Sequence, residues 1–423
     1  MRAITFEAPI PRYLVTRLAG KVSSALFVGP HACTRCREVA TPELPGPDWV
    51  RIRTRMGGIC GSDTNIITLG ASPSASPFSS FPFVLGHENV GEIEAVGRDV
   101  RGFSVGERVV ANPLLCCEPR GITPPCAACA AGHHSRCAHF TDGALAPGMF
   151  IGTTRGLGGS WGEWYVAHAA QLVRVGDGVP DTDAVLTEPF ACCVHAVRRA
   201  RPAAGQRALV IGAGTMGLLQ VAALGACAPG VAVTALARHP FQSALATRLG
   251  AARVVMARGD YLAELADAGG TRLLQPILGR PIGVGGFDVT FVCIGGARGV
   301  EDALRFTAPG GTIVLLGNAR TLRGLDWTPL WLKELTLVGT LAYGTNAGHG
   351  GAGTGAFHEA AALIAERRVE LAGLVTHQFT LSEYREALAT ARERGGSGSV
   401  KVAFRFWRVD APGTVATLRS IAS

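Results

Sequence analysis

Several things are missing from this chain of 423 residues. No apolar run reaches the length of a bilayer span, because Arg, Gly and Asp interrupt every candidate, so no membrane-spanning segment is expected. Met1 to Pro11 lacks a charged start followed by an apolar core and a small-residue cleavage site, which argues against a secretory signal and makes the cytoplasm the expected compartment. In a reducing compartment the 12 cysteines are expected as thiols or metal ligands, not disulfides. The net charge of +8 would suit nucleic acid, anionic lipid or a phosphorylated ligand. Lys and Arg are scattered singly and in pairs, however, with no basic run and no interleaved aromatics. Neither nucleic acid nor a membrane is therefore expected as a partner, and a cofactor carrying several phosphates, or plain solubility, is the better account of the charge. Signs of disorder are absent too: 48% hydrophobic residues and 56 glycines describe a well-packed, turn-rich globular protein of two or three domains.

Two stretches carry chemistry. The first pairs Gly-Ile-Cys-Gly-Ser-Asp at Gly58 to Asp63 with Gly-His-Glu-Asn-Val-Gly at Gly86 to Gly91. Cys60, His87 and Glu88 form a borderline-soft set of thiol, imidazole and carboxylate that suits Zn²⁺, and Ser62 and Asp63 add a hydroxyl and a second carboxylate. The second is an apolar strand at Arg207 to Ile211 running into Gly212-Ala213-Gly214-Thr215-Met216-Gly217, which opens a helix. Glycines there allow a tight turn and close approach to a pyrophosphate, and free N–H groups at the helix start face the phosphates, so Gly212, Gly214, Thr215, Met216 and Gly217 are candidate dinucleotide contacts.

The next strand, Val231 to Leu236, ends on Ala237-Arg238-His239. No carboxylate stands there to accept a ribose hydroxyl, whereas Arg238 beside His239 suits a 2′-phosphate, which favours NADP(H) over NAD(H). Further strands at Phe287 to Ile294 and Gly311 to Leu316, with a helix at Glu301 to Thr307 between them, predict an α/β, doubly wound parallel sheet. Before about Pro180 the chain reads instead as short β segments, such as Trp49 to Thr54 and Gly91 to Val96, cut by Gly and Pro. Ala71 to Phe83, rich in Ser, Pro and Phe, reads as a surface insertion. Cys33 and Cys36 are an isolated pair without partner ligands and receive no role.

The Cys60 and His87 motifs, followed by Gly97 and Gly106-Glu107-Arg108-Val109, resemble those of the zinc-dependent medium-chain dehydrogenases, the alcohol, polyol and glucose dehydrogenase family. The resemblance runs from about residue 45 to 406 with the motifs in order. It implies a GroES-like, mainly β catalytic domain from residues 1–189 and 342–423, and a Rossmann domain from 190–341. It also implies an oxidoreductase that interconverts a small-molecule alcohol (a polyol, sugar or secondary alcohol) and its carbonyl by hydride transfer, in a homodimer or homotetramer.

By that resemblance Cys60, His87 and either Glu88 or Glu188 hold a catalytic Zn²⁺, since Glu188-Pro189 matches the polyol and glucose branches. Ser62 passes the substrate proton outward, and Asp63 orients His87. Many relatives place a histidine relay where this chain has Asn65. Cys192 and Cys193 read as small packing residues. Cys126, Cys129 and Cys137 match three of the four positions of the family's structural zinc loop, while the first position falls on Thr123; Cys117, or else Cys116, completes a site by folding back across Arg120-Gly121-Ile122. Two rival readings are a zinc-free quinone or enone reductase, which lacks these ligands, and a non-catalytic NADPH-binding redox sensor. Val400 to Phe406 predicts a last strand, and the tail beyond Trp407 has no functional reading.

Overall fold

Alternation from Val50 to Met56 patterns the strand Trp49–Gly58 that organises the first half of the protein. Val50, Ile52, Thr54 and Met56 turn inward and are buried, while Arg51 and Arg53 turn outward to Glu94 and Glu92 of the neighbouring strand, as the two-residue period of a pleated strand requires. The computed structural model describes residues 1–423 apart from 317–320, 323, 345–354, 411–413 and 418–423. The chain divides into two units, Met1–Glu188 with Leu371–Ser423, and Pro189–Glu370.

The first unit opens with β1 (Arg2–Phe6), α1 (Ile10–Val22), β2 (Thr34–Glu38), β3 (Trp49–Gly58), α2 (Gly61–Ile67), β4 (Phe83–Val84), β5 (Glu88–Val96) and β6 (Arg108–Ala111). It continues through α3 (Ala127–Ala130), β7 (Trp164–His168), β8 (Leu172–Arg174) and α4 (Asp181–Ala184). The Ser- and Pro-rich insertion folds as a 3₁₀ turn at Pro73–Phe78 just before β4. Helix α5 (Thr187–Ala200) starts at the boundary between the units.

The second unit alternates β9 (Arg207–Ile211), α6 (Thr215–Cys227), β10 (Ala232–Ala237), α7 (Pro240–Arg248), β11 (Arg253–Met256) and α8 (Tyr261–Gly269). A small hairpin, β12 (Arg272–Leu274) and β13 (Ile282–Val284), precedes β14 (Phe287–Val292), α9 (Ala297–Phe306), β15 (Thr307–Leu316), α10 (Thr328–Leu332) and β16 (Thr336–Thr340). Six of these strands form one sheet in the order β11-β10-β9-β14-β15-β16, with every pairing parallel. This is the doubly wound dinucleotide order, in which the direction of winding reverses at β9. Leu209, Ile211, Leu236 and Val255 from the strands pack with Val300 and Leu304 of α9 in its core.

After α11 (Ala356–Ala365) the chain returns to the first unit through β17 (Val375–Phe379), α12 (Tyr384–Arg392) and β18 (Lys401–Arg405). The division at 370/371 differs from the return expected at residue 342, because α11 packs with the second unit: Glu359 pairs with Arg198 and Phe357 meets Tyr343 ring to ring at 5.0 Å. In the first unit the main sheet runs β17-β18-β3-β5-β6-β8, with β7 also paired to β3. A last hairpin, β19 (Trp407–Asp410) with β20 (Thr414–Thr417), occupies the tail.

Candidate metal and cofactor site

The first site forms where three strands of the main sheet lie side by side. In the register Gly58 faces Glu88 of β5 on one side and Ala403 of β18 on the other. Just beyond Gly58 the chain turns into α2, so Cys60 becomes its N-cap. Asp63, on the first turn, is fully buried; its Oδ2 accepts the Cys60 N–H at 3.0 Å and its Oδ1 lies 3.3 Å from Nδ1 of His87. The ligand atoms of Cys60, His87 and Glu88 all fall within 4.8 Å of one another.

That arrangement fits a Zn²⁺ site. A thiolate, an imidazole and a carboxylate are ligand types the ion takes. A carboxylate on one ring nitrogen of a histidine leaves the other nitrogen to face the metal with a fixed tautomer, the usual support for a ligating histidine. Burial works against a charged His87, but Asp63, with Cys60 adding to it, outweighs burial and holds the imidazole well above its ordinary range.

Two further residues shape this site. Lys401, which opens β18, is buried, and its Nζ lies 2.6 Å from each carboxylate oxygen of Glu88 and 3.2 Å from the Ile59 carbonyl. Gly58 makes room for this pair, since a Cβ there would overlap Oε2 of Glu88. Sequence reasoning missed Lys401; its only signal was a lone charge inside the apolar strand Val400 to Phe404. Ser62 is exposed on the first turn of α2, two residues past Cys60. Glu188, the second residue of α5, is buried but is not among the three residues whose ligand atoms converge.

The second cluster brings together Cys117, Cys126, Cys129 and Cys137, again within 4.8 Å. Cys117 supplies the fourth thiol and Cys116 does not, because the N–H groups of Arg120 and Ile122 fold back onto the Cys117 carbonyl and carry that thiol toward the others. Sulfurs bound to one tetrahedral Zn²⁺ with bonds of about 2.3 Å stand roughly 3.8 Å apart; Cys117 and Cys137 are 3.6 Å apart. Backbone N–H groups of Ala138 and Cys129 pull the Cys126 thiol down to about 6, toward the thiolate form that a metal takes, whereas burial pushes the Cys129 and Cys137 thiols up. A closed four-thiolate cage is structural. Arg120, also missed in the sequence, is fully buried and ties the lobe together by donating to the carbonyls of Leu115, Asp142, Leu145, Ala146 and Gly148.

In the second unit Gly212, Gly214, Thr215, Met216 and Gly217 form the turn from β9 into α6, with Gly214 as N-cap. Gly217 is required by close approach: any Cβ would overlap the Gly212 carbonyl. Cys193 is buried and donates to the Met216 carbonyl at 3.4 Å, which fits its expected packing role. Arg238 is exposed at the carboxyl end of β10, while the His239 ring stacks flat on Phe241 at 5.6 Å.

Comparison with known proteins agrees with this geometry. Residues 46–177 match the model for the alcohol dehydrogenase GroES-like domain, and residues 216–366 that for the zinc-binding dehydrogenase domain. The L-threonine 3-dehydrogenase of Anaeromyxobacter dehalogenans is 30% identical over 86% of this chain and 93% of its own length. The sorbitol dehydrogenase of Arabidopsis thaliana is 28% identical over 85% and 89%. Among solved structures, a zinc-binding dehydrogenase from Sinorhizobium meliloti bound to NADP aligns with a TM-score of 0.68 and 26% identity, over 88% of this chain and 96% of that one. The two ligand clusters, the doubly wound sheet and these matches together make the chain a member of the zinc-dependent medium-chain dehydrogenase family, and so an oxidoreductase.

Proposed function

We propose that this protein interconverts a secondary alcohol, polyol or sugar and its carbonyl, with NADP(H) as hydride carrier. The observation that carries this reading is the meeting of Cys60, His87 and Glu88 next to the turn that exposes Ser62. When bound, Zn²⁺ supplies Lewis acidity toward a substrate oxygen, and the nicotinamide ring supplies the partner for hydride transfer. Cys60 and His87 would hold the ion, and Glu88 would complete the set from a carboxylate that Lys401 partly neutralises. Asp63 fixes the His87 tautomer. Ser62 takes the hydroxyl proton and passes it outward. Asn65 is an amide and does not relay protons, so Ser62 would hand the proton to solvent.

The likeness to a sorbitol dehydrogenase and to L-threonine 3-dehydrogenases supports a polyol or a secondary alcohol as substrate class. Arg238 at the end of β10, with no carboxylate beside it, supports the preference for NADP(H). Trp331 and Leu332 are exposed on α10, and β16, which follows it, ends the sheet among the described residues, which supports a homodimer or a homotetramer. No described helix is long and apolar enough to cross a membrane, and thiols gathered for metal binding suit a cytoplasmic setting.

The test is NADPH formation from NADP⁺, against NADH from NAD⁺, over a panel of polyols, aldoses, and primary and secondary alcohols including L-threonine, with and without a zinc chelator. Chelator-sensitive NADPH formation on one class supports the reading and names the class. Turnover unaffected after the metal has been stripped and verified absent rejects it.

A further inference from the structure

The NADP(H) reading leaves a charge problem at the end of β10, and β11 offers the answer. A phosphate monoester carries about −1.5 to −2 at neutral pH, more than one guanidinium offsets. The main chain beside Arg238 has little left to give, because the N–H groups of both Arg238 and His239 donate to Oε1 of Gln242, at 3.1 and 3.2 Å. His239 is occupied in a stack on Phe241.

Strands β10 and β11 are parallel neighbours, with Ala237 opposite Met256 in the register. Neighbouring strands lie about 4.8 Å apart, so the two segments leave the sheet side by side on the face where β9 turns into α6. The Ala257 N–H donates to the Ala237 carbonyl at 2.7 Å and ties the two exits together, and the Arg258 N–H folds back onto the Met256 carbonyl at 2.7 Å. Arg238 and Arg258 each follow this tie by one residue. Both are exposed, and among the described residues neither guanidinium has an ion-pair or hydrogen-bond partner. No aspartate or glutamate occurs between Glu188 and Asp260. Asp260 itself caps α8 by accepting the Ala263 N–H at 3.3 Å.

We propose that Arg258 is the second cation of the 2′-phosphate site and, with Arg238, the residue that makes the protein select NADP(H). This rests on the NADP(H) reading above. Two planar guanidiniums on adjacent loops grip one phosphate from two sides, a geometry that a single arginine does not supply.

The test is calorimetric binding of adenosine 2′,5′-bisphosphate and of AMP, the same molecule without the 2′-phosphate, to the wild type and to Arg238→Ala, Arg258→Ala and Arg258→Lys. Arg258→Ala is expected to weaken the bisphosphate at least tenfold and AMP little, Arg238→Ala to do the same, and Arg258→Lys to lose less than Arg258→Ala. If the bisphosphate binds Arg258→Ala as tightly as the wild type while Arg238→Ala loses it, the proposal is overturned and the NADP(H) reading stands. If the wild type binds the bisphosphate no better than AMP, the NADP(H) reading falls and takes the proposal with it.

Discussion

Replacing Lys401 by methionine should unsettle the first unit in a way that metal repairs. Its Nζ is the cation held 2.6 Å from both oxygens of Glu88, and the two side chains are 3% and 1% exposed. Removing one partner of a buried pair strands the other charge and costs roughly 3–5 kcal/mol. For a unit of this size each kcal/mol moves the melting point by about 2–4 °C, so the metal-free variant should melt about 6–20 °C below the metal-free wild type. A stranded carboxylate within 4.8 Å of Cys60 and His87 is also a stronger ligand. Zinc should therefore raise the melting point of Lys401→Met by more than it raises the wild type, because binding to the folded state alone adds stability in proportion to affinity. The double variant Glu88→Gln/Lys401→Met, which removes both charges, should recover much of the metal-free loss. Scanning calorimetry of the three proteins, stripped and zinc-loaded, measures every term. Equal melting of stripped wild type and Lys401→Met, or equal zinc shifts in both, would refute the reasoning.

Other consequences can be checked separately. Ser62→Ala should lower kcat by about 10²-fold or more, the usual worth of a positioned proton acceptor, while NADPH binding, followed by its fluorescence, stays intact; an unchanged kcat removes Ser62 from the proton path. Cys117→Ser should cut bound zinc from two ions per chain to one by metal analysis, whereas Cys116→Ser should keep both; the reverse result would exchange the two thiols. Lys333 is buried and donates to the carbonyls of Arg305 and Thr307, and burial pulls its ammonium down to about 8 from 10.5. The folded state thus releases the proton before the unfolded chain does, so this group adds stability as pH rises between about 8 and 10.5, by up to roughly 3 kcal/mol. Unfolding free energies of Lys333→Met and wild type should diverge in wild type's favour across that window, and parallel curves would contradict it.

Much of the site was legible in the chain because its parts are local. Cys60 to Asp63 and His87 to Glu88 are short runs at strand ends, and a ligand must sit on such a turn to reach out of a sheet. Likewise the doubly wound unit announced itself through the glycine turn after β9, where Gly217 alone fits against the Gly212 carbonyl. The return point was harder to read: α11 has the pattern of an ordinary amphipathic helix, and its tertiary contacts, Arg198 with Glu359 and Tyr343 with Phe357, assign it to the second unit.

Local patterning and short motifs were thus enough to read the doubly wound sheet, the dinucleotide turn and the Cys60, His87 and Glu88 set, whereas the GroES-like unit and the four-cysteine loop were read from resemblance to a family. Tertiary structure alone decided that Cys117 and not Cys116 closes the thiol cage, that Arg120 holds that lobe together, and that the carboxylate meeting Cys60 and His87 belongs to Glu88. It also decided that Lys401 stands against Glu88 from 313 residues away. The physical reason is common to all four. Local residue type sets which chemistry a side chain offers, but the partners of a buried charge or thiol are chosen by strand register and chain reversal, which bring distant residues within a few ångströms and leave no trace in their spacing.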